Sequence, residues 1–444
     1  MIFKRKILDQ LKEWKKNSDG NTAILIEGAR RIGKSTVAEE FGKANYKSYI
    51  TINFSTNEEA KKTFERNQSN LDQLFNELSV LFGTRLYLRD SLFIFDEVQC
   101  YPKARQLIKN LVADHRYDYL ETGSLISIKQ NVQDIVIPSE EKKLSMFPMD
   151  FEEFCWAIND ETTIAFLKEH LKTLKPLGGM LRIINERLKT YMVVGGMPQS
   201  VVAYLKSKNF ADCEDEKQGI LDLYRDDIAK YAKGYEAKAR MIFDSIPALL
   251  SHHDKKIVFS NLGTKGGRAG DFSNALYWMS DSKIAKLVYR LESIDPLAGF
   301  SIDDSKVKCY MSDTGLLLSL AVGKNDYLNN PLYKSLVLGK LHSNEGMMAE
   351  NMVCQMLSNK NDKIFFFEKT TENRTKYEVD FVKPNLDKFD LVEVKSSRGN
   401  DHASILYALK TYSRNIKNAY ILGNFDIKVE GRITYLPLVF ASII

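Results

Sequence analysis

The sequence predicts an α/β chain: a parallel sheet first, then a helical stretch, then a mixed segment, then a second α/β unit. Three observations carry this. Short, nearly continuous apolar runs recur at Thr22–Glu27, Tyr49–Phe54, Ser91–Phe95 and Tyr117–Thr122, as in strands covered on both faces. Helical stretches at about 35–44, 57–82 and 103–115 separate them, and strands alternating with helices indicate a parallel sheet. The alternation returns from about residue 345: a helix, strands Lys363–Phe367, Tyr377–Val382 and Leu391–Val394, a helix over 402–413 and strand Asn418–Leu422.

Taken in order, residues 3–16 place Ile7, Leu8, Leu11 and Trp14 at helical spacing with lysines between them. After Pro138 the pattern is helical over 150–170, 181–207 and 213–250, and mixed over 255–322 with a strand at Val307–Ser312. The 444 residues correspond to about three domains at ~150 residues each. The expected division is 1–149 as the parallel α/β core, 150–235 as a helical linker, 236–322 as a third unit and 323–444 as a fourth.

Composition excludes several classes. Hydrophobic residues are 44% and charged residues 27%, which is globular rather than disordered. The 24 glycines and 10 prolines are too few for a collagenous chain. A net charge of +5 permits a nucleic-acid partner only where the charge is clustered. The five cysteines form no CxxC pair, so they read as reduced buried thiols, not a zinc ribbon or a disulfide framework. Met1–Ile7 lacks an apolar leader segment, and the longest apolar run, Tyr435–Ile444, is broken by Pro437. The expectation is a soluble, cytoplasmic protein with no membrane partner.

The strongest motif is Gly28-Ala29-Arg30-Arg31-Ile32-Gly33-Lys34-Ser35, followed by Thr36. It matches GxxxxGK[ST], with a strand before it and a helix after it. Glycines let the backbone turn its N–H groups toward phosphate oxygens, and the helix N-terminus adds its positive end. Lys34 is expected to reach the β and γ phosphates of ATP, and the Ser35 hydroxyl to ligate Mg²⁺. About 60 residues on, Leu92-Phe-Ile-Phe-Asp96-Glu97 is an apolar strand ending in two carboxylates. Asp96 suits Mg²⁺ and Glu97 suits the attacking water. Thr122-Gly123-Ser124 ends the fourth strand, either as a plain turn or with a hydroxyl that senses the γ-phosphate.

These segments, GARRIGKST, FIFDE and ETGS in this order, resemble the AAA-type ATPases of the STAND/Orc-like clade. In particular they resemble prokaryotic members whose C-terminal half is a domain of unknown function ending in an endonuclease-like fold. Further segments fit that family: Phe147-Pro-Met-Asp-Phe-Glu-Glu-Phe154, Gly195-Gly-Met-Pro198, Leu223-Tyr-Arg-Asp-Asp-Ile228, Tyr310-Met-Ser-Asp-Thr-Gly315 and Gly346-Met-Met-Ala-Glu-Asn351. The resemblance implies a P-loop NTPase core and assigns Gly196-Met197-Pro198 to a helical lid over the nucleotide. No arginine finger stands out among Arg85, Arg89, Arg105 and Arg116.

Ser282–Glu292, SKIAKLVYRLE, places Ile284, Leu287, Val288 and Leu291 on one helical face and Lys283, Lys286 and Arg290 on another. With Ser273–Met279 before it and Val307–Ser312 after it, the segment reads as the second helix of a winged-helix unit. Its basic face is either a DNA contact or an ordinary solvated face.

In the last unit, Asp380 lies in one expected strand and Leu391-Val-Glu393-Val-Lys395 in the next. Alternation puts Glu393 and Lys395 on one face. Asp380 and Glu393 then read as Mg²⁺ ligands, with Lys395 beside an attacking water; the alternative is a salt bridge between a carboxylate and Lys395. Glu350, on the preceding helix, adds a third acid. The arrangement resembles the PD-(D/E)xK nuclease core, with Glu350, Asp380, Glu393 and Lys395 at its positions and Val379 where the pattern has Pro.

Two functions follow as expectations. One is a MgATP-binding, ATP-hydrolysing protein coupled to a winged-helix and nuclease-like half acting on nucleic acid. The other is a nucleotide-gated switch or scaffold with a protein partner and a silent nuclease-like fold.

Overall fold

In the computed structural model the described residues are 1–124, 137–252, 254–259, 269–323, 345–359, 363–395 and 402–444. The chain divides into two units, residues 1–147 with 281–283, and the remainder from 148.

In the first unit the apolar runs become strands β1 (Ala23–Glu27), β2 (Ser48–Asn53), β3 (Ser91–Asp96) and β4 (Asp118–Gly123). A fifth, β5 (Glu141–Ser145), completes an all-parallel sheet of order β2-β3-β4-β1-β5. β1, β3 and β4 are buried along their whole length, as continuous apolar runs require. β5 was not among the strands expected from the sequence. Its sequence, EKKLS, is polar and partly exposed, so no apolar period marks it, and its ladder to β1 decides its state.

Helices 7–18, 34–45, 58–67, 71–81 and 102–114 complete this unit. The single helix expected over 57–82 is two, because each half has its own asparagine cap. Asn57 accepts from the Ala60 N–H and Asn70 from the Gln73 N–H, stabilising a helix start where an asparagine is preferred. The core on one side of the sheet is aromatic: Phe54, Phe64, Phe75, Phe93, Phe95, Tyr101, Tyr117 and Tyr119 pack together.

The second unit holds an eight-stranded mixed sheet. Its strands are β6 (Ala285–Leu291), β7 (Ile302–Met311), β8 (Phe365–Thr370), β9 (Lys376–Asn385), β10 (Lys388–Lys395), β11 (Ile416–Gly423), β12 (Lys428–Glu430) and β13 (Ile433–Pro437). The order is β12-β13-β11-β10-β9-β8-β6-β7. Helices 151–157, 163–173, 180–194, 198–207, 210–231, 236–251, 269–281, 314–322, 345–358 and 403–411 belong to the same unit.

The helix expected over Ser282–Glu292, and the winged-helix unit built on it, are corrected here. Residues 285–291 are strand β6, antiparallel to β7 and parallel to β8. The seven residues AKLVYRL are short enough to fit either period, and Val288 and Tyr289 favour the pleated state once two ladders are offered. Because β6 and β7 join the sheet of β8–β13, the expected boundary at 322/323 does not separate two sheets.

The family-like segments meet inside this unit. The Gly196 N–H donates to Asp313 Oδ2 at 2.6 Å, and Met149 N–H donates to Gly196 O at 2.7 Å. A Cβ on Gly315 would stand 2.6 Å from the Gly195 Cα, so these two turns touch only as glycines. Gln355 accepts from Thr314 N–H at 2.8 Å and donates to Tyr191 Oη at 2.9 Å, while Asn351 Oδ1 accepts from Met311 N–H at 2.8 Å. Gly195–Pro198, Ser312–Gly315 and the helix at 345–358 are thus one buried joint. The segment expected to be a lid is built into it. Among the described residues no helix is long and apolar enough to cross a membrane.

Candidate functional sites

The first site lies at the C-terminal edge of β1 and β3. Gly33 takes φ +93° as the loop turns into helix 34–45, which opens without a side-chain cap. An uncapped helix start of this kind suits a phosphate group. Lys34 Nζ donates to the carbonyls of Gly28 at 3.1 Å and Ala29 at 2.9 Å, which holds the ammonium within the loop. Ser35 Oγ donates to Asp96 Oδ1 at 2.6 Å, so the two expected Mg²⁺ ligands stand side by side.

Asp96 has two further donors. Asn53 Nδ2 reaches Oδ2 at 2.8 Å, and the Thr122 hydroxyl donates to Oδ1. Thr122, read above as a turn or a sensor, therefore touches the acid. Asn53 carried no motif; its place follows from the register that pairs it with Asp96 across β2 and β3. Glu97 adopts φ +53°, and Gln99 Nε2 donates to its carboxylate. Arg5 Nη1 donates to Ile32 O at 2.9 Å and Nη2 to Phe147 O at 2.7 Å, bracing the loop from behind.

Three of the four arginines weighed as fingers are engaged elsewhere in this unit. Arg89 pairs with Asp118 at 2.9 Å, Arg105 with Glu141 at 2.6 Å, and Arg116 with Asp114 and Asp72 at 2.6 and 2.7 Å. Beside the Arg105–Glu141 pair, Glu121 is wholly enclosed. Burial, then the Glu141 charge, pushes its carboxyl well above the usual range against Arg105.

The second cluster lies in the eight-stranded sheet. The Asp380 Oδ2 accepts from the Val394 N–H at 2.9 Å, which fixes it beside Glu393. Glu393 Oε1 pairs with Lys395 Nζ at 2.6 Å. Glu350 is buried on helix 345–358 and receives the Tyr310 hydroxyl at 2.5 Å. Lys308, on β7 and 0% exposed, stands among the acids. Its Nζ is 2.8 Å from Glu378 Oε1, 3.5 Å from Glu350 Oε1 and 3.8 Å from Asp380 Oδ1. Lys255 also pairs with Glu350.

The electrostatics follow the geometry. Burial opposes the Lys308 charge, yet Glu350, Glu378 and Asp380 outweigh it and hold the ammonium above the usual lysine range. Burial also opposes the Glu350 charge, and Lys308 and Lys255 overcome it to lower that carboxyl. Burial and the Glu350 charge push Asp380 up to about 7, against Lys308 and Lys255.

The set Glu350, Asp380 and Glu393 was expected to bind Mg²⁺. Among the described residues, the trio whose carboxylate oxygens all gather within 4.8 Å is instead Asp254, Glu368 and Glu378. That trio is bridged by Lys256 and Lys376, and Lys306 reaches Glu368 at 2.6 Å. The residues of the second cluster fit a lysine-filled network better than a divalent ion. Neither Lys308 nor Glu378 carried a sequence signal beyond strand alternation, since nothing local says that their faces meet.

Comparison with known proteins adds the following. Residues 20–155 match the family model of an AAA domain. Residues 185–327 and 345–440 match two domains of unknown function, DUF8612 and DUF4143. No curated protein matches. Among solved structures, PCH-2 of C. elegans is 12% identical over 47% of this chain with a TM-score of 0.27; the chain spans 64% of that protein. DnaA from Aquifex aeolicus, bound to AMPPCP, is 14% identical over 53% of this chain and 72% of its own, with a TM-score of 0.28. A signal-transduction ATPase (STAND) with a tetratricopeptide repeat sensor from Pyrococcus horikoshii is 12% identical over 79% of this chain and 45% of its own, with a TM-score of 0.27. The AAA match covers the parallel sheet and loop described above, so the chain carries an AAA-type ATPase-like domain in its N-terminal region.

Proposed function

We propose that this protein is a MgATP-dependent switch: the first unit binds and hydrolyses ATP, and the second passes on the nucleotide state. The observation that carries the first part is the 2.6 Å Ser35–Asp96 hydrogen bond at the mouth of the loop. Gly28–Thr36 cradle the phosphates, Lys34 pairs with the β and γ phosphates, and Ser35 and Asp96 hold Mg²⁺. Bound MgATP supplies the γ-phosphoryl group and charge compensation. Glu97 orients the attacking water and takes its proton, and Gln99 holds that carboxylate in place. Thr122 and Asn53 keep Asp96 aimed at the loop.

Calorimetry with ATP tests this. Wild type binds in the presence of Mg²⁺ and Lys34→Ala does not. Glu97→Gln binds but turns over at least ~100-fold more slowly, the usual scale of a lost general base. Equal affinity in Lys34→Ala sinks the assignment.

For the second unit, two readings divide on one cluster. Cleavage of nucleic acid through a metal at Glu350, Asp380 and Glu393, with Lys395 beside the water, is supported by the placing of Asp380 next to Glu393 on adjoining strands. A silent fold that docks a protein partner is supported by Lys308 among the same acids, and this second reading is the one we adopt. Incubation of plasmid and single-stranded DNA with Mg²⁺ or Mn²⁺ separates them. Cutting that disappears in Lys395→Ala restores the nuclease reading.

A further inference from the structure

We infer that the Lys308 ammonium is the resident cation of the acidic cluster in the second unit, so that this cluster takes up no divalent metal. The inference rests on the silent-fold reading above and goes further, because it names the group that closes the site.

Position comes first. Lys308 is carried by β7, hydrogen-bonded to β6 through the Val288 pairing. Its side chain is 0% exposed and its Nζ lies 5.1 Å from the Phe366 ring centroid. An ammonium fixed in this way has no water to retreat into, and its charge is balanced only by the carboxylates around it. It meets Glu378, Glu350 and Asp380, which come from two different elements. These are two of the acids a metal would need, together with a third that shares the lysine.

Charge comes second. Each carboxylate of the region faces a lysine. Glu350 faces Lys255 and Lys308; Glu378 faces Lys308 and Lys376; Glu368 faces Lys256, Lys306 and Lys376; Glu393 faces Lys395. A divalent ion is retained by uncompensated negative charge and converging oxygens. Here the compensation is built into the chain, and the oxygens of Glu350, Asp380 and Glu393 do not converge as those of Asp254, Glu368 and Glu378 do. A metal entering between Glu350 and Asp380 would meet the ammonium at contact distance.

The test uses the full chain without nucleotide, so that the phosphate loop holds no metal–ATP complex. Mn²⁺ is the probe, followed by calorimetry and by the electron paramagnetic resonance signal of free Mn²⁺. Wild type leaves the free Mn²⁺ signal unchanged. Lys308→Met gains one Mn²⁺ with affinity raised on the order of a thousandfold, the effect of deleting one charge at about 4 Å at an effective dielectric near 20. Adding Asp380→Asn abolishes that gain. Should Lys308→Met not fold, Lys308→Met with Glu378→Gln removes the charge together with its nearest partner and is expected to gain Mn²⁺ likewise. Stoichiometric Mn²⁺ on wild type that vanishes in Asp380→Asn overturns the inference, as does a folded lysine variant that gains no Mn²⁺. Either result leaves ATP binding by the first unit intact, whereas loss of ATP binding by wild type removes the switch and leaves the metal result standing.

Discussion

Asp96 and Glu350 are both buried acids at motif positions, but their partners differ in kind. Asp96 is held by neutral donors: a serine hydroxyl, a threonine hydroxyl and an asparagine amide. Glu350 is held by two ammonium groups and a phenol. Neutral donors fix a carboxylate while leaving its charge to offer a cation. Lysines fix it by cancelling that charge. In the reading proposed above, the first unit thus leaves its acid able to take a metal ion, whereas the second fills its acidic cluster with lysines. Acidic residues at the right spacing do not distinguish these cases; the charge of their partners does.

The contrast can be broken or sharpened by measurement, beginning with the largest effect. Lys308→Met removes the buried cation shared by Glu350, Glu378 and Asp380 and is expected to cost ~3–5 kcal/mol in urea unfolding, the scale for breaking a buried ion pair. Asp96→Asn keeps all three donors near a neutral group, so its cost is expected to be only ~1 kcal/mol, with Mg²⁺-dependent ATP affinity falling instead. Similar losses of stability in both variants would erase the distinction between the two acids.

Two pH responses of opposite sign come next. At Glu368 burial raises the carboxyl, but Lys256, Lys306 and Lys376 outweigh it and hold the group at about 2. A lowered folded pKa contributes stability above the unfolded value near 4.5, lost as pH falls toward 2. Glu368→Gln is thus expected to flatten the acid limb of a stability–pH curve below pH 5. Glu121 is raised, so its contribution is fully present below the unfolded value and declines as pH rises through the folded one. Glu121→Gln is expected to stabilise the protein at pH 7–8 and to reduce the decline on that side. Matching slopes in the two variants would contradict the assigned partners. The smallest effect is local: Asn70→Ala removes one helix cap from the first unit and is expected to cost ~1 kcal/mol, read as a lowered urea midpoint.

The phosphate loop was legible because its chemistry is contiguous. Residues 28–36 with a buried strand before them and a helix after them leave little freedom. The acid at the end of β3 was legible for the same reason. Asn53 was not, since only the β2–β3 register brings it to Asp96. The run 282–292 was misread because seven apolar-patterned residues satisfy helix and strand alike, and the partner strands lie later in the chain. The glycines at 195, 196 and 315 were read as family marks; their close approach explains why small residues stand there.

What residue order settled about this protein is local: the periodicity of the first sheet, the glycine loop, and the acids that close β3 and lie on β9 and β10. Their meaning at the second cluster was settled by folding. Lys308 and Glu350 are 42 residues apart in the chain, and no short-range pattern encodes a lysine buried on one strand beneath acids from a helix and another strand. Electrostatic energy depends on distance through space, so the charge state of that cluster exists only once the sheet has formed.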